Sequence, residues 1–147
     1  MVANTILEDF LLQIQKEIDI SAPMPTVFEA ILEQLGPGAD MADGSPMPMI
    51  LEPWPGGRWY RDLGHNAGHF WGHVQVIKPP HLLELTGPMF MSYPIVSHVQ
   101  YRLTAQGVGT RLTLLHRSMG TISPEHRQGV VKGWDQMLSG IKRRAKS

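Results

Sequence analysis

SPEHRQGVVKGWDQMLSGIKRRA, residues 123–145, decides how this chain folds. Ser123 is a good helix N-cap and Pro124 suits the first helical position. Val130, Val131, Trp134, Met137, Leu138 and Ile141 then recur at spacings of three, four and seven, forming one apolar stripe on a long amphipathic helix. A single helix with such a stripe has to lie on something. The preceding residues read mostly as strands, so the partner layer is a sheet, curved to grip the helix.

Working back from that helix, Leu12, Ile14, Ile18 and Ile20 alternate with Gln13, Gln15, Glu17 and Asp19. That is a half-buried strand, with Lys16 the one charge on its apolar face. Ala22 to Pro25 turns the chain into a helix whose buried side is Val27, Phe28, Ile31, Leu32 and Leu35, ended by Gly36-Pro37. Strands are predicted over 47–53, 57–64, 68–77, 81–87, 95–105 and 109–118, separated by short Pro- and Gly-rich breaks. Short breaks favour an antiparallel meander, and the order strand, helix, six strands, helix is α+β.

The chain has 147 residues, suited to one domain over 1–147 with its core at about 13–145. It has no cysteine, which excludes disulfide and thiolate chemistry and is compatible with a reducing cytoplasm, the expected location. Thirteen basic residues balance thirteen acidic ones, leaving no electrostatic footprint for nucleic acid. The basic run from Lys142 to Lys146 sits where a helix dipole favours cations. No apolar run approaches the ~20 residues that span a bilayer, and the N-terminus lacks the pattern of a signal peptide.

Four passages resemble a known superfamily, the START-like or SRPBCC proteins. They are Ile18-Asp19-Ile20-Ser21-Ala22-Pro23 leading into Val27–Ile31; Pro55-Gly56-Gly57-Arg58-Trp59; Gly72–Leu83; and Gly109–His116 followed by Gly133-Trp134 and Met137-Leu138. Within it the chain is most similar to proteins resembling the C-terminal domain of the activator of the heat-shock chaperone ATPase. The resemblance implies a helix-grip fold: a seven-stranded curved antiparallel sheet around the C-terminal helix, with a short helix after the first strand and a cavity between the layers.

Several residues are candidates for chemistry. His65, His69 and His73 are spaced by four, but in a strand the α-carbons of His69 and His73 lie about 13 Å apart, too far to share a metal. No metal and no cofactor is expected. In strand 68–77, Phe70, Gly72, Val74 and Val76 share the face expected to be the cavity side. His69, Trp71, His73 and Gln75 share the other, where Trp71 lies under local side chains or in a homodimer contact. His116 extends the Leu112, Leu114 series toward the helix, where an imidazole needs a partner: a ligand, a transferred proton or the protein itself. Gly129, Gly133 and Gly140 share a helix face about 115° from the apolar stripe, predicted to border a cavity or a packed strand.

The expected occupant is a hydrophobic or amphipathic small molecule, held by Trp59, Phe70, Met89, Phe90, Tyr101, His116, Trp134 and Met137. Met41, Met47, Met49 and Met91 also fall in or beside loops. The alternative is a cyclase or aromatase of the kind found elsewhere in the superfamily, with His116 as acid–base residue beside Tyr101 or Arg102. A third reading, regulation of a chaperone ATPase, rests on the resemblance alone, and the separate N-terminal domain of such activators is not expected here. Nucleophile-elbow and phosphate-loop patterns are missing, and Gly56-Gly57 reads as a turn.

Overall fold

The computed structural model describes residues 9–41, 43–89 and 92–146. The elements run β1 (Leu11–Ile20), α1 (Met24–Leu35), β2 (Ile50–Leu51), β3 (Arg58–Gly64), β4 (Ala67–Lys78), β5 (Leu82–Gly87), β6 (Ile95–Gln106), β7 (Gly109–Gly120) and α2 (Pro124–Lys146). The strands form one seven-stranded antiparallel sheet in the order β1-β7-β6-β5-β4-β3-β2. From β2 to β7 this is a meander. Because α1 interrupts the chain after β1, that strand closes the opposite edge by pairing with β7. The architecture is the helix-grip fold.

The inner face of the sheet is built from cross-strand rows. Ile14, His116, Val99, Leu85 and Val74 stand side by side across five strands, and all are buried. Against these rows lies α2, burying Trp134, Leu138, Gly140, Ile141 and Ala145. Each large apolar side chain removed from water there contributes roughly 1.5–3 kcal/mol before ordering costs. Burial concentrates in the second half of α2, which packs beside α1. Gly140 permits that approach, since a Cβ on it would lie 2.8–3.0 Å from the Gln34 side-chain amide. Lys16, the misfit of β1, reaches across to Asp135 of α2 at 3.1 Å. An inward-pointing charge of this sort also discourages the edge strand from pairing with other chains.

The predicted strand over 47–53 shrinks to Ile50–Leu51. Pro46, Pro48 and Pro53 have no N–H to give a ladder. Met47 and Met49 instead donate to the carbonyls of Ala39 and Gly36, tying this segment under the end of α1.

The phase of β4 also departs from simple alternation. Trp59 pairs with Gly72 while Tyr60 pairs with Phe70, so Trp71 is an extra residue, and Gln75 is a second one opposite β5. Each bulge flips the side chains beyond it. Gly72 and Val74 face inward as expected. Phe70, however, turns outward beside Tyr60, 44% exposed, with its ring 4.9 Å from that of His73. Trp71 turns to the inner side, stacks on His69 at 5.2 Å and packs against the edge of the core.

Before β3, Gly56 adopts a positive φ of 80°, and a Cβ on Gly57 would sit 1.9 Å from the Glu52 carbonyl oxygen. That approach lets Glu52 clamp Arg58 through its backbone N–H and guanidinium. The clamp holds the Glu52 carboxyl down at about 2. We expect Gly57→Ala to cost about 2 kcal/mol or more of stability by urea denaturation, because the clash is with backbone that has nowhere to go.

Candidate functional site

Between the first half of α2 and the sheet lies a cavity of about 560 Å³. Above it α2 is less buried than along its second half, and two of its positions carry no side chain. Gly129 and Gly133 line the hollow, and a methyl built on either would meet no atom within 4 Å. Alanine would serve the helix better by roughly 1 kcal/mol per site, and both glycines are exposed as well as bordering the hollow. Gly140, on the same face, instead meets Gln34.

The remaining wall comes from three places. Met41, Met47 and Met49 arrive from the segment after α1, Met89 from the end of β5, and Val130, Trp134 and Met137 from α2. Met89 is 1% exposed and holds a left-handed φ of 58°, a conformation that costs a methionine of order 1 kcal/mol. Met41, Tyr93, Ser123, Glu125, Gly129, Gly133 and Gln136 are exposed lining residues and mark the mouth. Across it Tyr93 Oη meets His126 Nδ1 at 3.2 Å, with the rings edge to face at 4.6 Å.

At the inner end stands His116, 1% exposed. The Trp134 indole N–H donates to its Nδ1 at 2.8 Å. An indole nitrogen can only donate, so Nδ1 is unprotonated and the ring proton sits on Nε2. Nε2 lies 2.8 Å from Ser118 Oγ, which is 2.7 Å from Ser97 Oγ. Burial pushes the imidazole down to about 4, because a cation there would be unsolvated. It would also face the indole N–H head on. His116 is a neutral pillar between sheet and helix.

A family model described as Activator of Hsp90 ATPase homolog 1-like protein matches residues 21–146. The chain belongs to that family, within the SRPBCC or START-like superfamily. No curated protein matches it. Among solved structures, CalU16 from Micromonospora echinospora is 24% identical with a TM-score of 0.61, over 92% of this chain and 75% of that one. Protein MLL2253 from Mesorhizobium loti is 20% identical with a TM-score of 0.66, over 92% and 97%. The di-domain ARO/CYC StfQ from the steffimycin biosynthetic pathway is 11% identical with a TM-score of 0.67; 97% of this chain covers 52% of that one. At these identities the likeness is one of fold.

Of the residues singled out in the sequence, Met89, His116, Trp134 and Met137 come together on the cavity wall. Tyr101 stands one layer behind them. It is fully buried, its hydroxyl donates to Met137 Sδ at 3.4 Å, and burial pushes its phenol strongly up. Trp59 is buried elsewhere, its Nε1–H donating to the Leu35 carbonyl at 2.8 Å to satisfy the end of α1. Phe70 is on the outer face for the reason given above. Phe90 and Met91 lie outside the described residues. The sequence reading missed His126 and the polar pair Gln34 and Asp40. The methionine clustering signalled Met41, Met47 and Met49, but not that the segment after α1 folds under α2. Glu84, in its apolar run, faces outward to His98 and Gln100.

The lowered His116 value makes stability pH-dependent. In the unfolded chain the imidazole takes its proton near 6.5, and in the fold only near 4. Between those values the unfolded state binds more protons, so the contribution is complete above about pH 6.5 and is lost as the pH falls toward 4. The loss amounts to about 3 kcal/mol. Urea titrations at steps across this window should show it in the native protein and not in His116→Gln, the difference between the two isolating this residue from the other histidines.

Proposed function

We propose that the protein holds one hydrophobic or amphipathic small molecule in the cavity under α2. The observation that carries this reading is the hollow itself: about 560 Å³, walled largely by thioethers and Trp134, and bordered by the bare backbone of Gly129 and Gly133. That volume falls within the usual range for small-molecule sites, which are apolar with a few fixed polar groups. Nonpolar area removed from water at ~25 cal/mol per Å² would drive affinity. His116 acts indirectly, by fixing the indole of Trp134 against which the molecule lies.

The geometry argues against the cyclase or aromatase reading. An acid–base residue needs a lone pair or proton within reach of the substrate. Both nitrogens of His116 are engaged inside the protein, and the Tyr101 hydroxyl is bonded to Met137 behind the wall. StfQ has the fold in common with this chain, but the pair nominated here for its kind of chemistry does not converge on the cavity. A regulator of a chaperone ATPase has no need of such a hollow.

Native mass spectrometry of the purified protein should reveal a retained molecule of a few hundred daltons that denaturation releases. Gly133→Leu fills the hollow. It should raise unfolding stability by about 0.5–1 kcal/mol through helix propensity and abolish the retained mass. Full retention by that variant would place the ligand elsewhere.

A further inference from the structure

The charges around the cavity restrict what it can hold. Asp40 lies on its wall near the end of α1, and Glu125 at the first turn of α2. No lysine or arginine lines it among the described residues.

Of the arginines on α2, Arg127 donates to the Asp9 carbonyl at 2.7 Å, and Arg143 and Arg144 stand 3.6 and 3.8 Å from Asp40 Oδ2. Arg144 also donates to Gln34 Oε1 at 2.6 Å and to the Gly38 carbonyl. An anion seeking Arg143 or Arg144 would have to displace Asp40. The other place an anion would go is the N-terminus of α2, whose N–H groups ordinarily attract negative charge. That place is taken as well. Ser123 Oγ accepts the His126 N–H at 3.2 Å, and Glu125 supplies the charge the helix end favours. The rest of the wall is soft sulfur from five methionines, a surface that suits aromatic rings.

We infer that the cavity selects hydrophobic molecules carrying no anionic group, uncharged or amine-bearing and preferably aromatic, and turns away carboxylates such as fatty acids. This rests on the reading of the hollow as a ligand site. A carboxylate drawn inside loses its water, meets no cation in exchange and approaches Glu125. An alcohol loses much less, and an amine finds Glu125 at the mouth.

Three matched probes test it: 2-(2-naphthyl)ethylamine, 2-(2-naphthyl)ethanol and 2-naphthylacetic acid, titrated into the protein at neutral pH and followed by ligand-observed NMR. The amine and the alcohol should bind roughly tenfold or more tighter than the acid. Glu125→Lys, an exposed change, should weaken the amine and strengthen the acid while leaving the alcohol unchanged. An acid that binds as tightly as the alcohol, or a carboxylate found as the molecule retained in native mass spectrometry, overturns this inference and leaves the cavity reading standing. If no probe binds and no mass is retained, the cavity reading falls, and the inference with it.

Discussion

The hydrogen bond from the Trp134 indole to His116 joins the two layers of the molecule inside the core. One partner stands on β7, one strand in from the β1 edge, in a row of buried aliphatic residues; the other stands midway along α2. Two polar groups in such a place would each cost on the order of 1–3 kcal/mol unpaired. Paired, they fix both the height and the rotation of the helix above the sheet. Apolar packing of Leu138 and Ile141 tolerates some sliding, whereas a directional bond does not. Ser118 and Ser97 extend the constraint across β7 and β6, so the tautomer, the indole orientation and the helix position are set together.

With α2 fixed there, its two halves meet different surroundings. The second half is held by α1, by Gly140 against Gln34 and by Arg144 reaching Gln34 and Gly38. The first half has less beneath it. Its apolar residues Val130 and Val131 are only half-buried, and two of its turns present bare backbone to the hollow. The stripe that looks continuous in sequence serves two purposes, closing the core at one end and roofing a cavity at the other.

Much of this was legible in the residues. The alternation of β1, the stripe of α2 and the breaks between strands follow from periodicity, and these carried the fold. His116 and Trp134 were visible as inward positions of regular elements, and the glycines of α2 as residues that cost the helix something. What escaped was set by irregular backbone. The outward turn of Phe70 depends on a bulge at Trp71, and a bulge obeys cross-strand geometry that one strand's sequence does not display. Asp40, Met47 and Met49 sit in a connection whose path is decided by carbonyls near the end of α1, those of Gly36 and Ala39. The retreat of Trp59 and Tyr101 into the core has a similar origin, since each found a partner, Leu35 or Met137, on an element far away in sequence.

The division of α2 also decides which part of the fold opens most readily. A cavity sealed by packed side chains on all sides would need the core to open, at a free energy close to that of global unfolding. Here the exposed lining residues gather where the first turns of α2 face the loop after β5, and the contact spanning that gap is the exposed pair Tyr93 and His126. Local opening draws on the least buried, least bonded part of a fold. The half of α2 that roofs the hollow is the less buried of the two. Loosening of the first turns alone would leave the indole–imidazole bond and everything anchored on it in place.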